Sequence, residues 1–129
     1  MNQPRIELNS NHTIPQLGFG TYKIDNDDAE ATVLSALGVG YRHIDTAQMY
    51  ANEEGVGRAL VAMGDTLGID RGDVYVTTKL NTPHHEPDDV RASFARSLED
   101  LQTDFVDLFL IHWPMPMFYD GDFVSTFQA

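Results

Sequence analysis

A chain of 129 residues with 42% hydrophobic and 10% aromatic residues holds enough apolar side chain to bury a core and reads as one globular unit, not a disordered segment. Eight lysines and arginines against twenty acidic residues give a net charge of −12, which repels phosphate backbones and anionic lipid, so neither nucleic acid nor membrane is an expected partner. Cysteine is absent, which excludes disulfides and thiolate chemistry. With no run long enough to cross a bilayer and no apolar stretch behind the N-terminal residues, a cytoplasmic protein is expected.

In chain order, residues 5–15 predict a small hairpin. Ile6 and Leu8 alternate with polar neighbours, Asn9-Ser10-Asn11 is turn-rich, Thr13-Ile14 returns, and Pro15 stops the pairing. Leu17 to Tyr22 reads as a short buried strand running into a loop, and its two glycines are wrongly spaced for a phosphate-cradling loop. A helix is expected over Asp25–Val39, capped by Asp25 or Asn26, ended by Gly38 or Gly40, with Ala29, Val33, Ala36 and Leu37 on one face. Strand Tyr41–Asp45 follows. The next helix is expected over Asn52–Met63, with Val56, Leu60 and Met63 inward and Gly64 beyond it. Its acidic pair, Glu53 and Glu54, reads as first-turn charge facing the positive end of the helix dipole.

A β-branched strand, Val74–Leu80, carries Lys79 near its end. A third helix starts near Glu86 or Pro87 and bears the stripe Val90, Phe94, Leu98 and Leu101. The run Phe105–Ile111 is nearly all apolar, as in a strand covered on both faces, with Asp104 and Asp107 expected toward loop or solvent. His112-Trp113-Pro114 comes next, residues 114–122 form a loop, and Phe123–Ala129 begin a helix. His84-His85-Glu86 lacks a further ligand at metal-site spacing, so no metal is expected. Alternating strands and helices give a parallel sheet, either open and doubly wound or part of a closed barrel; the missing glycine fingerprint disfavours the dinucleotide-binding open sheet.

Asp45, Lys79 and His112 fall at the C-terminal ends of consecutive strands, and Tyr50 lies in the loop after the first of these. In a parallel barrel those ends open on the one face that carries active sites. A phenol with an ordinary pKa near ~10 is a sluggish acid at neutral pH. A lysine ammonium beside it favours the phenolate, and a carboxylate keeps that lysine charged, so the pair can pass a proton to a carbonyl oxygen that is gaining negative charge. His112 can orient the same carbonyl. No side chain here supplies hydride, which points to a nicotinamide cofactor.

These pieces resemble the aldo-keto reductases, most closely bacterial members of the 2,5-diketo-D-gluconate reductase type. The matching segments are Leu17-Gly-Phe-Gly-Thr-Tyr-Lys23, Gly40-Tyr-Arg-His-Ile-Asp-Thr-Ala47, Tyr50-Ala-Asn-Glu-Glu-Gly-Val-Gly57, Thr78-Lys79-Leu80 and Ile111-His-Trp-Pro114. The resemblance spans residues from about 5 to 129. It implies a (β/α)8 TIM barrel, here its N-terminal half of a hairpin and about four βα units, with the hairpin closing the bottom. It implies NADPH-dependent reduction of aldehydes or ketones, with NADH possible, by a tetrad of Asp45, Tyr50, Lys79 and His112 in which Tyr50 donates the proton. Gly20, Thr21 and Tyr22 would lie along the nicotinamide, Asp45 near its ribose, and Tyr22, Met49, His112 and Trp113 around a small-molecule carbonyl substrate.

A complete barrel needs about 250 residues. The expectation is therefore that residues 1–129 form the N-terminal part of one barrel domain, as a fragment or truncated chain. The cofactor's phosphate contacts would then lie beyond Ala129. The complete enzyme would be a monomer, while this piece, with open strand edges, would self-associate. A rival expectation is a non-catalytic half-barrel that pairs with another chain or serves as an auxiliary cofactor-sensing subunit.

Overall fold

The computed structural model describes residues 3–115, 117 and 120–129, so Pro116, Phe118 and Tyr119 of the expected 114–122 loop lie outside the described residues. Two short antiparallel strands, β1 (Arg5–Glu7) and β2 (Thr13–Pro15), form the hairpin, with Arg5 opposite Pro15 and Glu7 opposite Thr13. Its reversal passes through Asn11 at φ 61°, a left-handed conformation that asparagine tolerates better than most residues. The hairpin lies beneath the sheet, where Arg5, Leu8 and Thr13 share a cavity with Tyr75, Phe105 and Val106.

Strand and helix then alternate: β3 (Phe19–Gly20), α1 (Asn26–Gly38), β4 (His43–Asp45), α2 (Glu53–Leu67), β5 (Tyr75–Leu80), α3 (Pro87–Asp100), β6 (Leu108–Ile111) and α4 (Phe123–Gln128). The sheet is parallel throughout and runs in chain order, β3-β4-β5-β6. That order separates the two arrangements that alternation alone leaves open. A doubly wound sheet reverses its order at a switch point, whereas successive crossovers of one hand keep every helix on one face and form a barrel wall.

The core fills the space between helices and sheet. Val33 and Leu37 of α1 and Val56, Leu60 and Met63 of α2 pack on Ile44, Val76 and Leu101. All four expected inward residues of α1 are buried. Gly57 lets α2 approach the end of α3, because a Cβ there would collide with the Asp100 carbonyl and the Leu101 backbone.

Three expectations change. First, α2 does not stop before Gly64 but runs on to Leu67 and ends at Gly68, whose φ of 65° is left-handed. The chain needs its left-handed residue there to turn Ile69 back into the core, and Gly64 is tolerated within the helix at about 1 kcal/mol. Second, the apolar run 105–111 is strand only over Leu108–Ile111, and Leu110 stays 40% exposed. As the last strand in the order, β6 is paired on one side only among the described residues. Third, the stretch 17–22 is strand only over Phe19–Gly20, with Leu17 and Tyr22 exposed. Asp107 is exposed as expected. Its carboxylate accepts from the Val76 backbone N–H at 2.8 Å and pairs with Arg71 at 3.2 Å; Asp104 is exposed as expected.

On α3, Val90 and Leu101 are buried and Phe94 packs on Phe109 with ring centroids 4.8 Å apart, yet the inner face also holds the polar Ser97. The segment of His84, His85 and Glu86 is used structurally, with the His85 carbonyl accepting from Thr126 Oγ1 of α4 at 2.7 Å. Among the described residues, no group of three or more His, Asp or Glu could hold a metal ion, and no helix is long and apolar enough to cross a membrane.

Candidate active site

The parallel register sets the site. Asp45 is the last residue of β4, Lys79 is the next to last of β5, and His112 follows β6 directly. Beyond β4 the chain makes a single 3-10 turn, Gln48–Tyr50, that ends in left-handed Ala51 at φ 55°. A non-glycine residue held there is strained by roughly 1 kcal/mol or more, so the turn is imposed by its surroundings.

These elements bring the four expected residues together. Lys79 Nζ donates to Asp45 Oδ1 at 2.6 Å, to the Thr46 carbonyl at 2.8 Å and to Tyr50 Oη at 3.3 Å. The three ammonium protons thus each face an oxygen. The lysine side chain is only 12% exposed, whereas that of Asp45 is 34% exposed, so the carboxylate keeps a wet side after taking the lysine. The His112 ring stands edge-on to Tyr50 with centroids 5.7 Å apart and stacks on Trp113 at 6.0 Å. The Tyr22 ring packs, tilted, on Tyr50 with centroids 5.1 Å apart. Tyr22, Met49 and Trp113 are all exposed, as the walls of an open cleft would be.

Burial pushes the His112 imidazole below the ordinary histidine range; the Lys79 charge adds to this and Asp45 opposes it. His112 is therefore neutral at neutral pH and able to donate one hydrogen bond. Its Nδ1 is buried with no hydrogen-bond partner among the described residues.

The expected cofactor-side residues separate. Gly20 faces open space, for a Cβ there would meet no atom within 4 Å. Thr21 instead is fully buried. Its backbone N–H donates to the Asp45 carbonyl at 2.9 Å, and its hydroxyl lies 3.3 Å from both that carbonyl and Asn52 Oδ1. Its side chain braces β4 from inside.

Four residues behind the site have roles that the sequence did not reveal. Asn52 is fully buried at the start of α2 and does not cap its own helix. It donates to the Thr21 and Ile24 carbonyls at 2.8 and 2.9 Å and accepts from Thr46 Oγ1 at 3.1 Å, tying the loop after β3 to the loop after β4. Asn26 replaces it as cap, its Oδ1 accepting from Gly55 N at 2.8 Å. Gln48 Oε1 accepts from Asn81 N at 2.7 Å. Glu53 overturns the reading of the acidic pair as surface charge: it is buried, accepting from Thr78 Oγ1 at 2.6 Å and Ser97 Oγ at 3.1 Å, while Glu54 is exposed. Burial pushes its carboxyl above the ordinary range and the two hydroxyls partly offset this. The available signal was Ser97, a polar residue in the apolar stripe of α3.

Comparison with known proteins is consistent along the chain. Residues 16–128 match the model of the aldo/keto reductase family. An aldo-keto reductase of Mycobacterium sp. (strain KMS) is 43% identical over the whole chain, which covers 45% of that relative. The NAD(P)H-dependent D-xylose reductase of Scheffersomyces stipitis is 43% identical over 87% of the chain and 35% of its own length. The crystal structure of an aldo/keto reductase from Brucella melitensis superposes with a TM-score of 0.90 at 46% identity, covering 100% of this chain and 47% of that one. A Bombyx mori aldo-keto reductase in complex with NADP superposes equally well, at 34% identity over 99% of this chain and 45% of its own. The chain spans between a third and just under half of the length of the curated relatives it matches, and its fold is the N-terminal half of the TIM barrel of the solved relatives. With a parallel sheet in barrel order and a family match over residues 16–128, the chain belongs to the aldo/keto reductase family.

Proposed function

We propose that the protein is an NADPH-dependent carbonyl reductase, with NADH a possible substitute, that converts aldehydes or ketones to alcohols using Tyr50 as proton donor. The observation that carries this reading is the exhaustion of the Lys79 ammonium. Its bonds to Asp45, Thr46 and Tyr50 mean that Tyr50 Oη accepts from the lysine, which leaves the phenol's own proton free to point into the cleft. A substrate oxygen placed against that hydroxyl gains a hydrogen bond that strengthens as the oxygen becomes negative, and the lysine charge stabilises the phenolate left behind.

Neutral His112 donates a second hydrogen bond to the same oxygen and fixes its direction. Tyr22, Met49 and Trp113 flank the cleft and exclude water around the substrate. For the cofactor, open space at Gly20, the exposed ring of Tyr22 and the wet side of the Asp45 carboxylate suit a flat nicotinamide and its ribose hydroxyls. Thr21 supports that surface from within. When bound, the cofactor supplies the hydride; the chain's own residues supply the proton and the orientation. The Bombyx mori relative was solved with NADP and the Scheffersomyces stipitis relative is NAD(P)H-dependent, which supports the same assignment here.

The test is Tyr50→Phe in the complete protein, assayed by NADPH oxidation with an aldehyde. Loss of a general acid costs about 10²–10⁴-fold in rate, so kcat should fall by that much with cofactor affinity unchanged. Retention of most of kcat would place the proton source elsewhere.

A further inference from the structure

Behind the cleft lies a buried polar chain that the proposed chemistry does not use. Glu53, at the start of α2, accepts through one carboxyl oxygen from Thr78, the residue preceding Lys79 on β5. Through the other it accepts from Ser97 of α3. The Ser97 hydroxyl oxygen in turn accepts from Gln48 Nε2 at 3.0 Å, and Gln48 Oε1 accepts from the Asn81 backbone N–H at 2.7 Å. One carboxyl group thus grips both halves of the Tyr50–Lys79 contact: the strand that carries the lysine, and the first residue of the turn that ends in the tyrosine.

The chemistry argues against a purely space-filling role. Burying a carboxyl group costs free energy that an apolar side chain of similar size would not incur. Its neighbours Gly55, Val56 and Gly57 are themselves buried, and α2 already packs well through Val56, Leu60 and Met63. What an apolar residue could not do is hold two hydroxyls at fixed distance and so orient Gln48. The strained Ala51 at the end of the turn is the kind of conformation that persists only when something outside the turn holds it.

We propose that Glu53 is a positioning residue that, through Thr78 on one side and Ser97–Gln48 on the other, sets the distance between Tyr50 Oη and Lys79 Nζ. The proposal rests on the reading of Tyr50 as proton donor, and its consequences follow from geometry. Glu53→Leu keeps the approximate volume but removes both accepting oxygens, so both hydroxyl links are lost. Ser97→Ala cuts only the branch to Gln48, and Thr78→Val only the branch to β5.

The experiment uses the complete protein and two readouts. Amide hydrogen exchange at Asn81 reports whether Gln48 is still held, with amides in the middle of α2, such as Leu60, as an internal control. Glu53→Leu and Ser97→Ala should speed exchange at Asn81 by about tenfold or more while Leu60 is unchanged. Since misplacement by ~1 Å can cost about 10²-fold, kcat with an aldehyde should fall about 10–100-fold in all three variants, at a temperature where circular dichroism shows the fold intact, with KM and NADPH affinity little changed. The double variant Glu53→Leu/Thr78→Val should be no slower than Glu53→Leu alone, because Glu53→Leu already removes the link to Thr78.

Unchanged Asn81 exchange in Glu53→Leu and Ser97→Ala would overturn the proposal. So would faster exchange with undiminished kcat, or a uniform rise that includes Leu60, which would mark a merely structural residue. If the parent protein reduces no carbonyl compound, the functional reading fails on its own. The exchange data then still decide whether Glu53 holds the turn.

Discussion

In the proposed reaction Tyr50 and Lys79 act as one acid, and they are not interchangeable with near relatives. Lys79→Met removes the charge that stabilises the phenolate and leaves Asp45 without its cation, so kcat should fall by roughly 10²-fold or more. Lys79→Arg should not rescue it. A planar guanidinium cannot send protons to Asp45, the Thr46 carbonyl and Tyr50 as the tetrahedral ammonium does. Equal rates for Lys79→Arg and the parent would show that only charge matters at this position. A second residue-scale consequence concerns acid. His43, His85 and His112 all have their imidazoles pushed below the ordinary 6.5, in each case mainly by burial. Their folded values are depressed, so the stability they contribute is present above pH 6.5 and is lost as pH falls through the folded values. The Glu53 shift acts oppositely: its raised value makes its contribution greatest in acid and lost as pH rises through the folded value. Melting temperature should therefore drop on acidification below 6.5, and the slope should flatten in His43→Gln. An equally steep slope in that variant would remove His43 from the account.

At the scale of elements, the helices and strands were legible where one face decided their fate. The α1 stripe of Ala29, Val33, Ala36 and Leu37 is buried as its spacing predicts. The site was legible for the same reason. Asp45, Lys79 and His112 stand at strand ends, and a parallel sheet places those ends on one edge whatever the loops do. What escaped was whatever depended on a partner from another unit. Glu53 looks like a first-turn acid until α3 brings Ser97 over it, and Asn52 looks like a cap until the loop after β3 supplies two carbonyls. Local sequence carries no record of such neighbours. Gly57 belongs to this class too, since only the packed pair shows that the end of α3 crosses α2 there. Gly57→Ala improves local helix propensity by up to ~1 kcal/mol. It also forces backbone apart, which costs about 1–3 kcal/mol in a packed contact. Net destabilisation is the expected sign, read as a lower denaturation midpoint in urea. A stabilised variant would mean that α3 can shift at little cost.

For the whole molecule, the site and its framework place different demands on the chain. The proposed acid is complete within these residues, because Asp45, Tyr50, Lys79 and His112 meet here. The sheet is less self-sufficient. Among the described residues β3 and β6 each have a neighbour on one side only, and Leu110, Phe123 and Phe127 are exposed at 40%, 49% and 83%. Unpaired edges and apolar surface of this kind favour association with another chain. Cofactor grip poses a separate difficulty, since a dinucleotide is an anion and the chain carries a net charge of −12. Gly20, Tyr22 and Asp45 offer contacts to a nicotinamide and its ribose, but none of them is cationic. Catalysis also depends on holding hydride donor and carbonyl in near-attack geometry, an effect that can supply about 7–11 kcal/mol. Residues 1–129 prepared as a separate polypeptide should therefore retain the Tyr50–Lys79 contact yet bind NADPH weakly, turn over no aldehyde, and self-associate. Fluorescence titration with NADPH, absorbance at the NADPH band with an aldehyde present, and sedimentation together decide the matter. Saturable micromolar binding with turnover by a monomer would show that half a barrel wall positions the cofactor as well as a closed one.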